Sequence, residues 1–185
     1  RDRVNHVFNE STKRPKLVKS NEVMSSITAN DYSSKAPKHP LLKFRKKMFG
    51  KEYNRLAQPQ HMAKLINYAL SDIMLQYKNT LIFGEDVAEK GGVYNVTADL
   101  QKRFGPRRVF DSPLDETSII GFGAGFSQNG FIPIPEIQFL AYFHNAEDQL
   151  RGEIATLPFF SNGQFTNPLV LRIPGLGYQK GFGGH

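Results

Sequence analysis

The sequence has no cysteine in 185 residues, which excludes disulfides and thiolate metal sites and leaves the redox compartment open. No apolar run approaches the roughly 18 residues that a membrane-crossing helix needs. The first residues are mixed polar and charged, without the apolar core of a secretory signal. No internal repeat is visible, and neither an RNA-binding signature nor an arginine-rich helical pattern occurs. Because the chain starts at Arg1 and stops at His185 inside a glycine-rich run, both ends are expected to be cuts from a longer polypeptide.

Negative charge is scarce in one part of the chain only. Residues 1–60 hold 14 Lys/Arg against 5 Asp/Glu, whereas residues 61–185 hold 10 against 12. A basic segment of this kind suits nucleic acid or an acidic membrane surface, or is simply a solvated linker. Asn, Ser, Lys and Pro dominate residues 1–57, with only scattered apolar side chains such as Val4, Phe8, Met24 and Ile27. The stretch is therefore read as a linker or as the tail of a preceding domain. Within it, His39 to Phe49 carries an apolar pair, Leu41 and Leu42, followed by basic residues, and is expected to form a short helix that docks on a neighbour.

Regular order begins near Pro59. Met62, Ile66, Leu70, Ile73 and Tyr77 recur at spacings of three and four, which predicts an amphipathic helix over 60–78. Leu81-Ile82-Phe83 then reads as a buried parallel strand ending at Gly84. A helix over 95–104 closed by Gly105 leads to a strand at Arg108-Val109-Phe110. Residues 116–128 form a helix rich in glycine, at about 1 kcal/mol per glycine relative to alanine, so close packing against a backbone or a ligand must offset the cost. Ile132 to Phe139 is expected to be a strand whose firm part is Glu136 to Phe139, since Pro133 and Pro135 cannot donate to a ladder. A helix over 142–157 and a fourth strand, Leu169 to Ile173, complete the alternation. The class is α/β, with a largely parallel sheet and helices on both faces.

Parallel sheets present their working loops at the carboxyl ends of the strands. Gly84-Glu85-Asp86, Leu114-Asp115-Glu116, Gln138 to Tyr142 and the loop 174–185 all fall there. Polar groups from four strands converge on one rim.

At these residues the chain resembles the beta subunit of the dehydrogenase component of 2-oxo acid dehydrogenase complexes. The motifs are GEDVA (84–88), GGVY (91–94), RFGPRRVFDSPLDE (103–116), IIGFGAGFSQNG (119–130), EIQF (136–139) and EDQL (147–150), running in order from about Met62 to His185. EIQF followed by Tyr142 and Asp148-Gln149 is most similar to the branched-chain 2-oxo acid type. The resemblance implies the pyrimidine-binding fold of the transketolase type over 58–185, incomplete at its end, after a basic linker or alpha-type tail over 1–57. It implies thiamin diphosphate as cofactor and oxidative decarboxylation of a 2-oxo acid with acyl transfer to a lipoyl group.

The resemblance also assigns roles. Glu116 matches the glutamate that hydrogen-bonds the aminopyrimidine and promotes its tautomeric shift, and such a group is expected to be buried. Read without the resemblance, Glu116 is a helix-start carboxylate satisfying free backbone N–H groups. Leu114 matches the apolar contact under the ring, Glu85 a glutamate networked with the activating one, and Gln138 and Tyr142 the side chains around the pyrimidine. Asp148 and Gln149 are expected to make helix or subunit contacts. A catalytic histidine is implied in the loop after the fourth strand, at His185 or just beyond it. Mg2+ and the diphosphate belong to the alpha-type half, through a GDG motif that this sequence lacks. The loop 174–184 has five glycines but no Lys-Ser/Thr ending of a P-loop.

Implied partners are that alpha-type half, in the same chain or a separate subunit, and a lipoyl acyltransferase. An oligomer is expected, with neither nucleic acid nor membrane. The implied location is cytoplasmic in a bacterium or the mitochondrial matrix in a eukaryote, the former favoured. A transketolase or deoxyxylulose-phosphate synthase relative fits the fold but matches EIQF and GEDVA less well. A non-catalytic module that holds a partner through its basic segment is the alternative from another class.

Overall fold

The computed structural model describes residues 1–25 and 40–175. Among the described residues the N-terminal part holds α1 (Asp2–Lys13), α2 (Ser20–Met24) and α3 (Leu42–Phe49). The first two bury none of their residues. The expected short helix is α3, and the neighbour on which it docks is α4 (Met62–Gln76) of the same chain. Leu41 and Leu42 stay exposed. Docking rests instead on Phe49, edge-on to Tyr68 with ring centroids 5.4 Å apart, and on the Arg45 fork, which donates to both Asp72 oxygens at 2.8 and 2.9 Å.

Among the described residues the sheet has three strands, β1 (Thr80–Gly84), β2 (Val109–Asp111) and β3 (Ile132–Glu136), in the order β2-β1-β3, all parallel. Strand alternation sorts the core into two layers. Ile82, Val109 and Ile134 face Leu70 and Met74 of α4 and Leu100 of α5 (Leu100–Phe104). Leu81 and Phe83 face the opposite way, against Ile119 of α6 (Glu116–Gln128) and the rings of Phe110 and Phe126. Helices therefore cover both faces, and β1 is buried along its whole length. Arg108 ties the exit of α4 to the start of β1: its guanidinium donates to the carbonyls of Met74 and Tyr77 at the helix end and of Thr80 in the strand.

Three elements differ from the sequence expectation. The helix expected over 95–104 begins only at Leu100. Tyr94, Asn95 and Asp99 take left-handed backbone angles (φ 58, 56 and 62°), so the chain turns repeatedly before it coils. These turns are pinned by Asn67, which donates to the carbonyls of Val96 and Ala98, and by Thr97, which donates to Val87 O. The second difference is in β3, where the firm part is Ile132–Glu136, prolines included, and not the residues after it. Ile132 N–H points at β1 and donates to Asn79 O, while the carbonyls of Pro133 and Pro135 point the other way and accept from Val170 and Arg172. The missing proline N–H groups thus fall on the side away from β1. They leave the run 169–173 with a half-complete ladder, so the expected fourth strand is a single bridge, Glu136 to Arg172.

The third difference is the helix expected over 142–157. It is a tight 3-10 segment (Leu140–Ala146), a wide π-type segment (Gln149–Ile154) and the short α7 (Leu157–Phe160). A 3-10 turn stacks residues three apart on one edge, which sets Tyr142 and Asn145 in line.

Candidate functional site

The carboxyl ends of the strands carry the groups expected there. β1 ends at Gly84, where β3 comes so close that an added Cβ would lie 2.5 Å from the Glu136 carbonyl oxygen. Only glycine fits, and the chain leaves β1 directly into Glu85. The following loop is fixed by Ala88 N–H, which donates to Asp111 at the end of β2 (2.9 Å). Beyond β2, Ser112 and Pro113 lead to Leu114, a leucine left 72% exposed on the rim.

Asp115 and Glu116 then divide the work of starting α6. The Asp115 side chain is the N-cap, accepting from Ser118 N–H at 3.0 Å and from the Ser118 hydroxyl. Glu116, the first helical residue, is released from that duty and is buried at 7% exposure. Its Oε2 accepts from Asn145 Nδ2 at 3.1 Å, and among the described residues its other oxygen has no hydrogen-bond donor. The helix-start reading of Glu116 thus belongs to its neighbour. Glu85 stands close enough to feel this carboxylate. Burial, Asp86 and Glu116 together push Glu85 above its ordinary value, with Lys90 opposing.

Tyr142 packs edge-on to Phe139 (5.9 Å) and against the cluster of Ile120, Ile137 and Ala146. Ile120 lies one turn beyond Glu116, so Tyr142 reaches the same end of α6. Gln138 follows Ile137 and is half-buried. Asp148 pairs with Arg151 at the surface, and Gln149 buries its amide oxygen. His185 lies outside the described residues. Among the described residues no group of three His, Asp or Glu is arranged to hold a metal ion.

Sequence reasoning overlooked two features of this rim. One is Asn145, set in a stretch expected to be plain helix. The other is the ion pair of Glu136 with Arg172, buried under the rim: Glu136 is 1% exposed, and both Nε (2.7 Å) and Nη2 of Arg172 donate to its Oε2. Burial raises the Glu136 pKa and Arg172 opposes the rise. Opposite charges in two adjoining apolar runs, IPIPE and LVLRI, were the available signal.

Comparison with known families matches residues 58–161 to the transketolase pyrimidine-binding domain. The chain belongs to that family. This pyrimidine-binding domain is 42% identical over 122 residues to the 3-methyl-2-oxobutanoate dehydrogenase subunit beta of Mycobacterium tuberculosis (strain CDC 1551 / Oshkosh), covering 66% of this chain and 35% of the relative. It is 42% identical over 113 residues to the pyruvate dehydrogenase E1 component subunit beta of Bacillus subtilis (strain 168), and 44% to that of Staphylococcus aureus (strain Mu50 / ATCC 700699). Each of these two matches covers 61% of this chain and 35% of the relative. The chain thus spans about a third of the length of the curated relatives it matches. The resemblance to dehydrogenase beta subunits holds, and relatives named for a branched 2-oxo acid and for pyruvate match equally well.

Proposed function

We propose that this chain is the pyrimidine side of a thiamin diphosphate site in a 2-oxo acid dehydrogenase of the beta-subunit type. The observation that carries the reading is Glu116. It is a buried carboxyl at the carboxyl rim of a parallel sheet, relieved of helix capping by Asp115 and engaged on one oxygen by a neutral amide. An acceptor oxygen that has no donor among the described residues, two residues after an exposed leucine on the same rim, suits a flat heteroaromatic ring with a basic edge nitrogen.

Bound at such a site, thiamin diphosphate supplies an acidic thiazolium carbon and an electron sink for loss of carbon dioxide from a 2-oxo acid. In this proposal Glu116 holds and shares a proton with the ring nitrogen, which is general acid–base assistance at a distance. Leu114 lies under the ring. Glu85, whose pKa is raised by burial, Asp86 and Glu116, joins the carboxylate network, and Gln138 and Tyr142 line the pyrimidine edge. His185, or a histidine just beyond it, handles the substrate and the acyl group.

Residues 1–57 serve as a linker or as the tail of an alpha-type half, and 58–185 as the pyrimidine domain. The diphosphate and Mg2+ fall to that alpha-type half, and a lipoyl acyltransferase receives the acyl group within an oligomeric complex. A branched-chain 2-oxo acid is the proposed substrate, from EIQF and the register of Tyr142 after it. Among the described residues no helix is long and apolar enough to cross a membrane. The relatives named above are bacterial proteins, and a cytoplasmic location is proposed with them.

The test uses the full-length parent together with its alpha-type half. Reduction of an artificial electron acceptor that depends on a 2-oxo acid, Mg2+ and thiamin diphosphate is measured for wild type and Glu116→Gln. Loss of acid–base assistance should lower turnover by on the order of a hundredfold or more. Full activity in the variant removes Glu116 from this role, and no turnover with any 2-oxo acid favours a transketolase-type relative or a non-catalytic module.

A further inference from the structure

We infer that Asn145 is a positioning residue for Glu116, an inference that rests on the reading of Glu116 just proposed. Two hydrogen bonds run in opposite directions between α6 and the 3-10 segment. Asn145 Nδ2 donates to Glu116 Oε2 at 3.1 Å, and the Thr117 hydroxyl donates to the Asn145 carbonyl at 2.9 Å. The second bond fixes the backbone of Asn145 against the first turn of the helix, so the first bond is made by a donor already held in place.

A buried carboxylate on the first turn of a helix has several rotamers open to it, and a fixed donor on one oxygen selects among them. It also decides which oxygen is left for a ligand, here Oε1. The amide suits this duty because it donates without carrying charge and does not titrate, so it leaves proton sharing to Glu116. The charged groups nearby are differently placed. Asp115 faces the backbone N–H groups of α6, Glu85 comes from the end of β1, and His144 and Glu147 pair with each other on the exposed side. None of them replaces the amide as a neutral donor to Oε2. Asn145 is itself exposed and shares an edge of the 3-10 turn with Tyr142, whose ring packs against the cluster of Ile120, one turn beyond Glu116, so one short segment serves both groups.

The experiment compares Asn145→Ala, Asn145→Gln and Asn145→Asp with Glu116→Gln in the full-length protein joined to its alpha-type half, reading kcat, the KM for thiamin diphosphate and the pH dependence of kcat. Removing a donor to a charged acceptor should lower kcat about tenfold in N145A, with a smaller change in KM. N145Q, which keeps the donor, should recover much of the loss. N145D should be the least active near neutral pH, where two carboxylates meet. Its activity relative to wild type should climb as pH falls, because a protonated Asp donates again. A merely structural asparagine gives variants whose ratio to wild type is flat with pH, and that result overturns the proposal. So does wild-type kcat in N145A. If N145A does not fold, the opposed behaviour of N145Q and N145D still decides. Should E116Q retain full activity, the underlying reading has failed; a crippled E116Q beside an unaffected N145A means that only the positioning role has failed.

Discussion

Glu136 ends β3 with its side chain out of contact with water, and Arg172 places two donors on one of its oxygens, while among the described residues the other has no partner. Removing one member of a buried pair leaves the other as an uncompensated charge, which typically costs about 3–5 kcal/mol. Arg172→Met should therefore lose stability on that scale near neutral pH. The sign of the pH dependence follows from burial, which already raises the Glu136 pKa from 4.5, and from Arg172, which opposes the rise. Without Arg172 the folded protein holds the proton still more tightly than the unfolded chain does. Stability then falls as pH climbs through the raised value, and the deficit shrinks toward pH 5. Urea unfolding of wild type and R172M at two pH values checks this; an equal deficit at both would mean that Glu136 is not the group left stranded. At this scale the sequence was legible in part. Glu116 could be singled out through the family resemblance, since a carboxyl at the head of a helix is by itself an ordinary cap. What it touches could not, since Asn145 reaches it from 29 residues away and only the tight 3-10 turn brings the amide round.

Helix α6 carries three glycines at alternate positions, and among the described residues only Gly123 is closely packed against a neighbour. A Cβ on Gly123 would lie 3.2 Å from Pro135 Cγ, whereas at Gly121 and Gly125 it would meet nothing within 4 Å. Gly125→Ala should then recover the ordinary helix preference, a gain of about 1 kcal/mol. Gly123→Ala gains the same preference but presses on a proline ring held in β3, so it should fall below G125A by roughly 1–3 kcal/mol. Denaturant midpoints of the two variants decide, and equal midpoints would show that α6 rides free of the sheet. The expectation that the glycines answer to close packing is thus met at Gly123 alone among the described residues, while Gly121 and Gly125 line an open groove with Phe122, Phe126 and Phe131. Other elements show what local pattern can reach. The helix α4 and the apolar run of β1 were readable from local pattern, but the buried face of α4 was not: it runs through Asn67, Tyr68, Leu70, Ser71 and Met74, and leaves Met62 and Ile73 of the expected stripe exposed. The prolines of β3 misled because the cost of a missing N–H depends on which side of the strand it falls. That cost appears instead as the unfinished ladder to residues 169–173.

For the molecule as a whole, the α/β class and the rim of acidic and amide groups could be read from the helix–strand alternation. The tight turns before α5 and the pairing of α6 with the 3-10 segment depend on contacts between distant parts of the chain. The same arrangement bears on what the chain binds by itself. Its rim offers carboxyls, amides, a tyrosine and a bare leucine, a surface suited to a neutral ring and ill suited to a diphosphate. Affinity for thiamin diphosphate should therefore reside in the assembly. A ligand at a hundred times its dissociation constant stabilises the state that binds it by about 2.7 kcal/mol. With Mg2+ present, thiamin diphosphate should raise the thermal midpoint of the chain joined to its alpha-type half and leave the midpoint of residues 1–185 alone unmoved. The chain alone gaining the full shift would place the diphosphate on this rim and overturn the division of labour proposed for the two halves. A shift confined to the assembly, and reduced there by Glu116→Gln, would tie the ring-binding share of that affinity to the Glu116 carboxyl at the head of α6.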